Sequence, residues 1–229
     1  MAREHLAPPP QPVATDREKD LRLMFEADSA LIVVDVQPDF MPGGALAVAE
    51  GDVIVPGVAE LMRRFALVVC TQDWHPAGHV SFGSTHGRPP FETLDLYGAA
   101  QTLWPDHCVQ GTPGAALHAA LPLDRATLVL RKGNDARVDS YSAFRENIGP
   151  DGRRAPTGLA GFLRDRGVRR VFACGLARDF CVRWTLEDAV TAGFEATLVD
   201  GLTRSVFPDR DAQTRDEMRA LGIRLVDAL

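Results

Sequence analysis

The chain has 229 residues, 45% of them apolar and 24% charged, enough to bury one sizeable core in a single α/β domain. Its 31 acidic side chains against 25 basic ones leave a net charge of −6, which argues against nucleic acid or an anionic membrane surface as the main partner. No apolar run approaches the roughly 20 residues of a membrane span, and MAREHLAPPPQPVATDREKD lacks the apolar stretch of a secretory leader, so a cytoplasmic protein is expected.

Residues 1–28 are proline-rich and charged without periodicity, and read as a flexible arm ahead of a single domain spanning 29–229. From Ala30 onward short apolar runs alternate with amphipathic stretches. The runs are ALIVVD (30–35), ALVVCT (66–71), ATLVLR (126–131), VFACG (171–175), ATLVD (196–200) and IRLVD (223–227). They are short, rich in β-branched residues and apolar throughout, as parallel strands covered on both faces are. Helices are predicted at 53–65, 157–167, 179–193 and 208–222, three of them closed by Gly167, Gly193 and Gly222. This alternation predicts a doubly wound, mostly parallel six-stranded sheet with right-handed crossovers and helices on both faces. Two long segments, 72–125 and 133–156, break the rhythm; the first holds most of the Trp and His, which marks it as ordered and functional.

In such sheets ligands bind beyond the carboxyl ends of the strands. Asp35 follows the first run, Asp73 and His75 the second, Lys132 the third, and the turn to Cys181 the fourth. An acid, a lysine and a thiol delivered to one rim suit nucleophilic catalysis. Cys181 falls in the first turn of a predicted helix, where the macrodipole and a neighbouring lysine favour thiolate. Asp35 can accept the thiol proton and return it to a leaving amine. Backbone N–H groups of the 175–181 turn can meet a developing oxyanion. Cys70 and Cys174 sit inside apolar runs and read as buried, reduced thiols; Cys108 reads as a packed thiol.

Asp73 and His75 are two apart in TQDWHPAGHVSF, so in an extended chain both point the same way and can meet one cation. His107, after a Trp-Pro pair, offers a third ligand, and Asp plus two His suits Zn²⁺, Fe²⁺ or Mn²⁺.

Five blocks carry a resemblance: DVQPDFMPGGAL (35–46), TQDWHPAGHVSF (71–82), WPDHCVQGTPGAALH (104–118), RKGNDARVDSYSAF (131–144) and GLARDFCV (175–182). In this order they resemble the motifs of nicotinamidases within the isochorismatase-like cysteine hydrolases. The resemblance implies hydrolysis of nicotinamide to nicotinate and ammonia in NAD salvage, and extends to pyrazinamide. It implies a catalytic set of Asp35, Lys132 and Cys181 and one divalent metal ion on Asp73, His75 and His107. It implies an oxyanion hole from the N–H groups of Ala177 and Cys181 after a cis Leu176–Ala177 peptide. It implies a ring pocket walled by Phe40, Leu46, Trp104, Tyr141 and Leu176. Pro38, Met41 and Arg178 depart from the family pattern, and Arg178 is expected to bring charge to the site entrance. His79 and Ser81 have no assigned role, and a homo-oligomer is left open.

Three other readings compete. A related cysteine amidohydrolase acting on another small amide or a carbamoyl substrate would not need DWHP and WPDHC. A metal-stabilised binding protein would not need Asp35, Lys132 and Cys181 together. A flavodoxin-like nucleotide-binding domain gives no account of the two long segments.

Overall fold

The computed structural model describes residues 25–227. Six parallel strands form the central sheet: β1 (Ser29–Val34), β2 (Val68–Asp73), β5 (Leu128–Lys132), β8 (Arg170–Leu176), β9 (Glu195–Arg204) and β10 (Arg224–Val226). Their spatial order is β10-β9-β8-β1-β2-β5. All six residues of β1 and all six of β2 are buried, as the unbroken apolar runs require of strands covered on both faces. β5 lies at the sheet edge and instead alternates half-buried with exposed positions up to the buried Lys132.

Four α-helices make the crossovers: α1 (Val55–Arg64), α2 (Leu159–Arg164), α3 (Arg183–Thr191) and α4 (Asp211–Ala220). α1 buries Val55, Val58, Ala59, Leu61 and Met62 along one stripe and carries Arg63 and Arg64 in its last turn, where the helix dipole favours cations. α3 packs on β8 and β9. From β1 the chain winds one way to β2 and β5; from β8 it winds the other way to β9 and β10. With right-handed crossovers, the two halves cover opposite faces, the doubly wound arrangement expected from the sequence.

The predicted helices begin or end within short 3₁₀ turns, 51–54 before α1 and 208–210 before α4, so their α-helical parts are shorter than the periodicity suggests. The long segments contain two small antiparallel hairpins that the sequence reading missed: β3 (Thr93–Leu96) with β4 (Ala99–Thr102), and β6 (Arg145–Ile148) with β7 (Arg154–Pro156). The arm expected over 1–28 lies largely outside the described residues. Its last part packs on the domain: the Phe25 ring meets Phe65 at 5.3 Å, and Asp28 pairs with Arg170. Among the described residues no helix is long and apolar enough to cross a membrane.

Candidate active site

β1 and β8 are neighbours, and the winding reverses between them. The crevice past their carboxyl ends is where a sheet of this kind binds ligands. Asp35 is the first residue beyond β1 and has φ of 47°, a left-handed conformation uncommon for a residue with a side chain. Val34 pairs with Gly175 in register, and Gly175 has φ of 110°. A Cβ there would lie 2.1 Å from the Val34 carbonyl oxygen, so only glycine lets β8 come this close to β1. Beyond β8 the Leu176–Ala177 peptide is cis, as the resemblance implied. Residues 178–182 then make a π-helical turn that contains Cys181 and runs directly into α3 at Arg183.

Register supplies the next contact, because Asp73, last in β2, pairs with Lys132, last in β5. The Lys132 Nζ is fully buried and lies 2.9 Å from Asp35 Oδ2, 2.9 Å from Asp73 Oδ1 and 3.5 Å from Cys181 Sγ. It also donates to the Ser140 carbonyl at 2.9 Å. Thr71 Oγ1 donates to Asp35 Oδ1 at 2.6 Å and accepts from the Asp35 N–H at 3.1 Å. One ammonium thus ties both carboxylates to the thiol.

Burial decides the electrostatics of this cluster. It raises the Asp35 carboxyl above the usual range, against the pull of Lys132 and the Thr71 hydroxyl. It also pushes the Cys181 thiol well up, with Lys132 pulling the other way. The thiolate expected from lysine and dipole is therefore opposed by desolvation, with Lys132 still favouring it. The Lys132 ammonium is held charged because Asp35 and Asp73 more than offset its own burial. Cys70, with no cation beside it, is pushed up to about 12 by burial, as an inert packed thiol should be. Cys108 and Cys174 are also buried and unpaired.

The metal-type ligands converge as well. One ligand atom each from Asp73, His75 and His107 lies within 4.8 Å of the others. Asp73 Oδ2 is 3.0 Å from His75 Nε2 and 3.4 Å from His107 Nε2. Each imidazole turns Nδ1 to a backbone carbonyl, His75 to Gly133 at 3.2 Å and His107 to Pro105 at 2.8 Å, which leaves Nε2 for a cation. A Cβ at Gly133, where φ is 67°, would lie 2.4 Å from the His75 ring, so glycine makes room for that ligand. A buried carboxylate and two oriented imidazoles fit one divalent ion in chemistry and spacing. His79 stacks on His75 at 4.2 Å, but its Nδ1 meets Ser81 Oγ at 2.8 Å and its Nε2 the Val138 carbonyl at 3.1 Å.

A small, partly open pocket lies above these groups. Phe40, Leu46, Trp104 and Tyr141, named from the resemblance for the ring pocket, line it together with Ala177, named for the oxyanion hole, and with Asp73, His107 and Cys181. Asp35, Lys132 and His75 lie beneath that surface, each no more than 1% exposed. Leu176 departs from expectation: it is fully buried, points its Cδ1 toward Gly51 and is not among the lining side chains. Arg178 departs too. Rather than charging the entrance, it is 4% exposed and turned toward the carboxyl end of β9, where Thr203, Asp200 and Asp211 satisfy its guanidinium. Three lining residues went unassigned from the sequence: Asp139, Phe180 and Val206. Asp139 and Phe180 stand inside quoted motif blocks, whereas nothing in the sequence signals Val206.

Fold and site together define a doubly wound α/β hydrolase with a carboxylate, an ammonium and a thiol at its topological switch point. The chain belongs to the isochorismatase family: the Isochorismatase domain model matches residues 29–228. It is 45% identical over 211 residues to the nicotinamidase of Acinetobacter baylyi, covering 91% of this chain and 97% of that one. Among solved structures it is similar to a nicotinamidase/pyrazinamidase of Acinetobacter baumanii, with a TM-score of 0.83 and 43% identity over 89% of this chain and 97% of that one. It is also similar to the pyrazinamidase of Pyrococcus horikoshii in complex with zinc, with a TM-score of 0.72 and 40% identity over 87% of this chain and 99% of that one.

Proposed function

We propose that this site hydrolyses nicotinamide to nicotinate and ammonia, and pyrazinamide likewise, through a thioester on Cys181. The observation that carries the reading is the single buried ammonium of Lys132, which joins the Asp35–Cys181 pair to Asp73 of the cation-binding group under one aromatic pocket. Relatives named nicotinamidase over nearly the whole chain support the substrate.

The flat ring enters between Phe40, Trp104, Tyr141 and Phe180 and brings its carboxamide to Cys181. Cys181 Sγ attacks the amide carbon while its proton passes to Asp35, and the carbonyl electron pair moves onto oxygen. N–H groups of Ala177 and Cys181 receive that charge. As the C–N bond breaks, Asp35 gives the proton to the leaving ammonia. Asp35 then takes a proton from water, which attacks the thioester carbon, and sulfur leaves to regain its proton. Lys132 holds Asp35 in place and balances the negative charge that moves between oxygen and sulfur. Asp73, His75 and His107 would hold one divalent ion, Zn²⁺, Fe²⁺ or Mn²⁺, which would supply a Lewis acid for the heteroaromatic ring nitrogen.

Production of nicotinate from nicotinamide serves the salvage of NAD. We place it in the cytoplasm, where thiols stay reduced, in keeping with four free, buried cysteines.

The test is ammonia release from nicotinamide by the wild-type protein and by Cys181→Ala. Wild type should turn over, and the variant should keep its circular dichroism spectrum while losing at least about three orders of magnitude in rate. Comparable turnover by Cys181→Ala would sink the nucleophile. No turnover by a folded, metal-loaded wild type would move the substrate to another small amide.

A further inference from the structure

The turn that carries the nucleophile also holds the opposite side of the pocket, through Asp179. This side chain is half-buried, and each of its carboxylate oxygens accepts one backbone N–H: Val206 at 3.0 Å on Oδ1 and Phe207 at 2.8 Å on Oδ2. Val206 lines the ring pocket, on a segment that follows β9 and belongs to no helix or strand. The Phe207 ring stands 6.0 Å from Phe180, which is itself 4.8 Å from Trp104 and 5.5 Å from Tyr141. The adjacent Arg178 grips the end of β9 from the other side through the Thr203 hydroxyl and carbonyl and the Asp200 carbonyl.

We propose that Asp179 is a positioning residue for ring specificity: its carboxylate clamps the Val206–Phe207 backbone to the Cys181 turn and so fixes the distance between the nucleophile and the pocket wall. Because Asp179 and Cys181 share one π-helical turn, the wall is tied directly to the turn that carries the thiol, in addition to its chain connection to the end of β9. A carboxylate accepts one N–H on each oxygen; in the same place Asn would turn an NH₂ toward one of the two donors. Asp179 touches no reacting atom, so its loss should loosen ring binding more than it slows chemistry. This inference rests on the nicotinamidase reading for its substrate, but the clamp itself can be tested without one.

The experiment compares wild type, Asp179→Asn, Val206→Ala and the double variant. Steady-state kinetics use nicotinamide and nicotinamides methylated at successive ring positions. Asp179→Asn should raise KM for nicotinamide about tenfold, the loss of one charge-assisted hydrogen bond, with kcat changed less than about threefold. Discrimination against methyl should collapse at one ring position. Val206→Ala should collapse it at the same position, and the double variant should go no further, because both act on one wall. Amide hydrogen exchange supplies the readout independent of substrate: Val206 and Phe207 should lose protection in Asp179→Asn while β1 and β2 keep theirs. Equal losses in kcat and KM, additive effects in the double variant, or unchanged protection at Val206 and Phe207 would each overturn the proposal. If wild type does not hydrolyse nicotinamide, the functional reading falls, and hydrogen exchange still decides the clamp. If Asp179→Asn does not fold, the fold of Asp179→Glu with protected amides, and the specificity of Val206→Ala, decide it instead.

Discussion

Asp35 is a single carboxyl on which opposing forces can be separated by substitution. Burial raises its pKa, while the Lys132 charge and the Thr71 hydroxyl lower it. In the proposed mechanism Asp35 accepts a proton and so works in the ionised form, and activity should fall as pH drops through its pKa. Thr71→Val removes the 2.6 Å hydrogen bond with almost no change in volume and leaves burial less opposed. The pKa should rise, and the acid limb of the kcat/KM profile should move to higher pH. An unmoved acid limb would mean that Asp35 is not the group being titrated. The identities of Asp35, Lys132 and Cys181 were legible because each stands at the end of an apolar run, and strand ends meet in a parallel sheet. Their protonation was not legible. A lysine and a helix N-terminus can be read from sequence, but the burial that raises the Cys181 thiol cannot, because the residues that share its pocket, Phe40, Trp104 and Tyr141 among them, come from distant segments.

At the scale of elements, the π-helical turn at 178–182 joins β8 to α3 and stays in place through charges on its outer side. Arg178 bridges Asp200 and Asp211 while almost wholly buried, whereas Arg183, one turn on and 27% exposed, pairs with Glu187 and Glu217 near solvent. The two arginines should therefore differ in what they contribute. Arg178→Met should cost about 3 kcal/mol, the low end for breaking a buried pair, because its carboxylate partners retain some solvent contact. Arg183→Met should cost less than about 1 kcal/mol. Urea denaturation midpoints with unchanged slopes would establish both values; equal costs would show that Arg178 is not a structural anchor. Elements built on strong apolar runs, the six central strands, could be read from the sequence. The β3–β4 hairpin could not. β3 alternates exposed and half-buried positions, β4 buries only Gln101, and the turn between them places Tyr97 and Gly98 at φ of 57° and 84°. A tight turn of that kind is normally marked by Asn-Gly or Asp-Gly, and Tyr hides the signal. In the β6–β7 hairpin, Pro156 and a run of polar residues obscure the period of two in the same way.

For the whole molecule, the alternation of runs and helices fixes a parallel sheet, but periodicity carries no information about which strand lies beside which. The order β10-β9-β8-β1-β2-β5 brings the β1, β2, β5 and β8 ends together, and its β2–β5 pairing places Asp73 of the proposed cation group within reach of Lys132. This coupling makes ion removal informative. Without an ion Asp73 still has Lys132 at 2.9 Å and two imidazoles, which outweigh its burial and hold its carboxyl well below the usual range. The fold should therefore survive chelation. An ion present at about 100 times its Kd contributes roughly 2.7 kcal/mol to stability. In a domain of this size that corresponds to a fall in Tm of about 5–10 °C on stripping. Far-ultraviolet circular dichroism should be unchanged below the transition, because no central strand depends on the ion for its pairing. Activity should fail through KM for the ring, with the Cys181 thiol still alkylated by a small reagent at its metal-loaded rate. His107→Ala, which leaves the Asp35–Lys132–Cys181 contacts intact, should give the same lowered Tm and raised KM, and no further change when chelator is added. A chelated protein that keeps its KM would separate the cation group from substrate binding. One that unfolds outright would make the ion a structural element of the β2 and 104–118 segments instead.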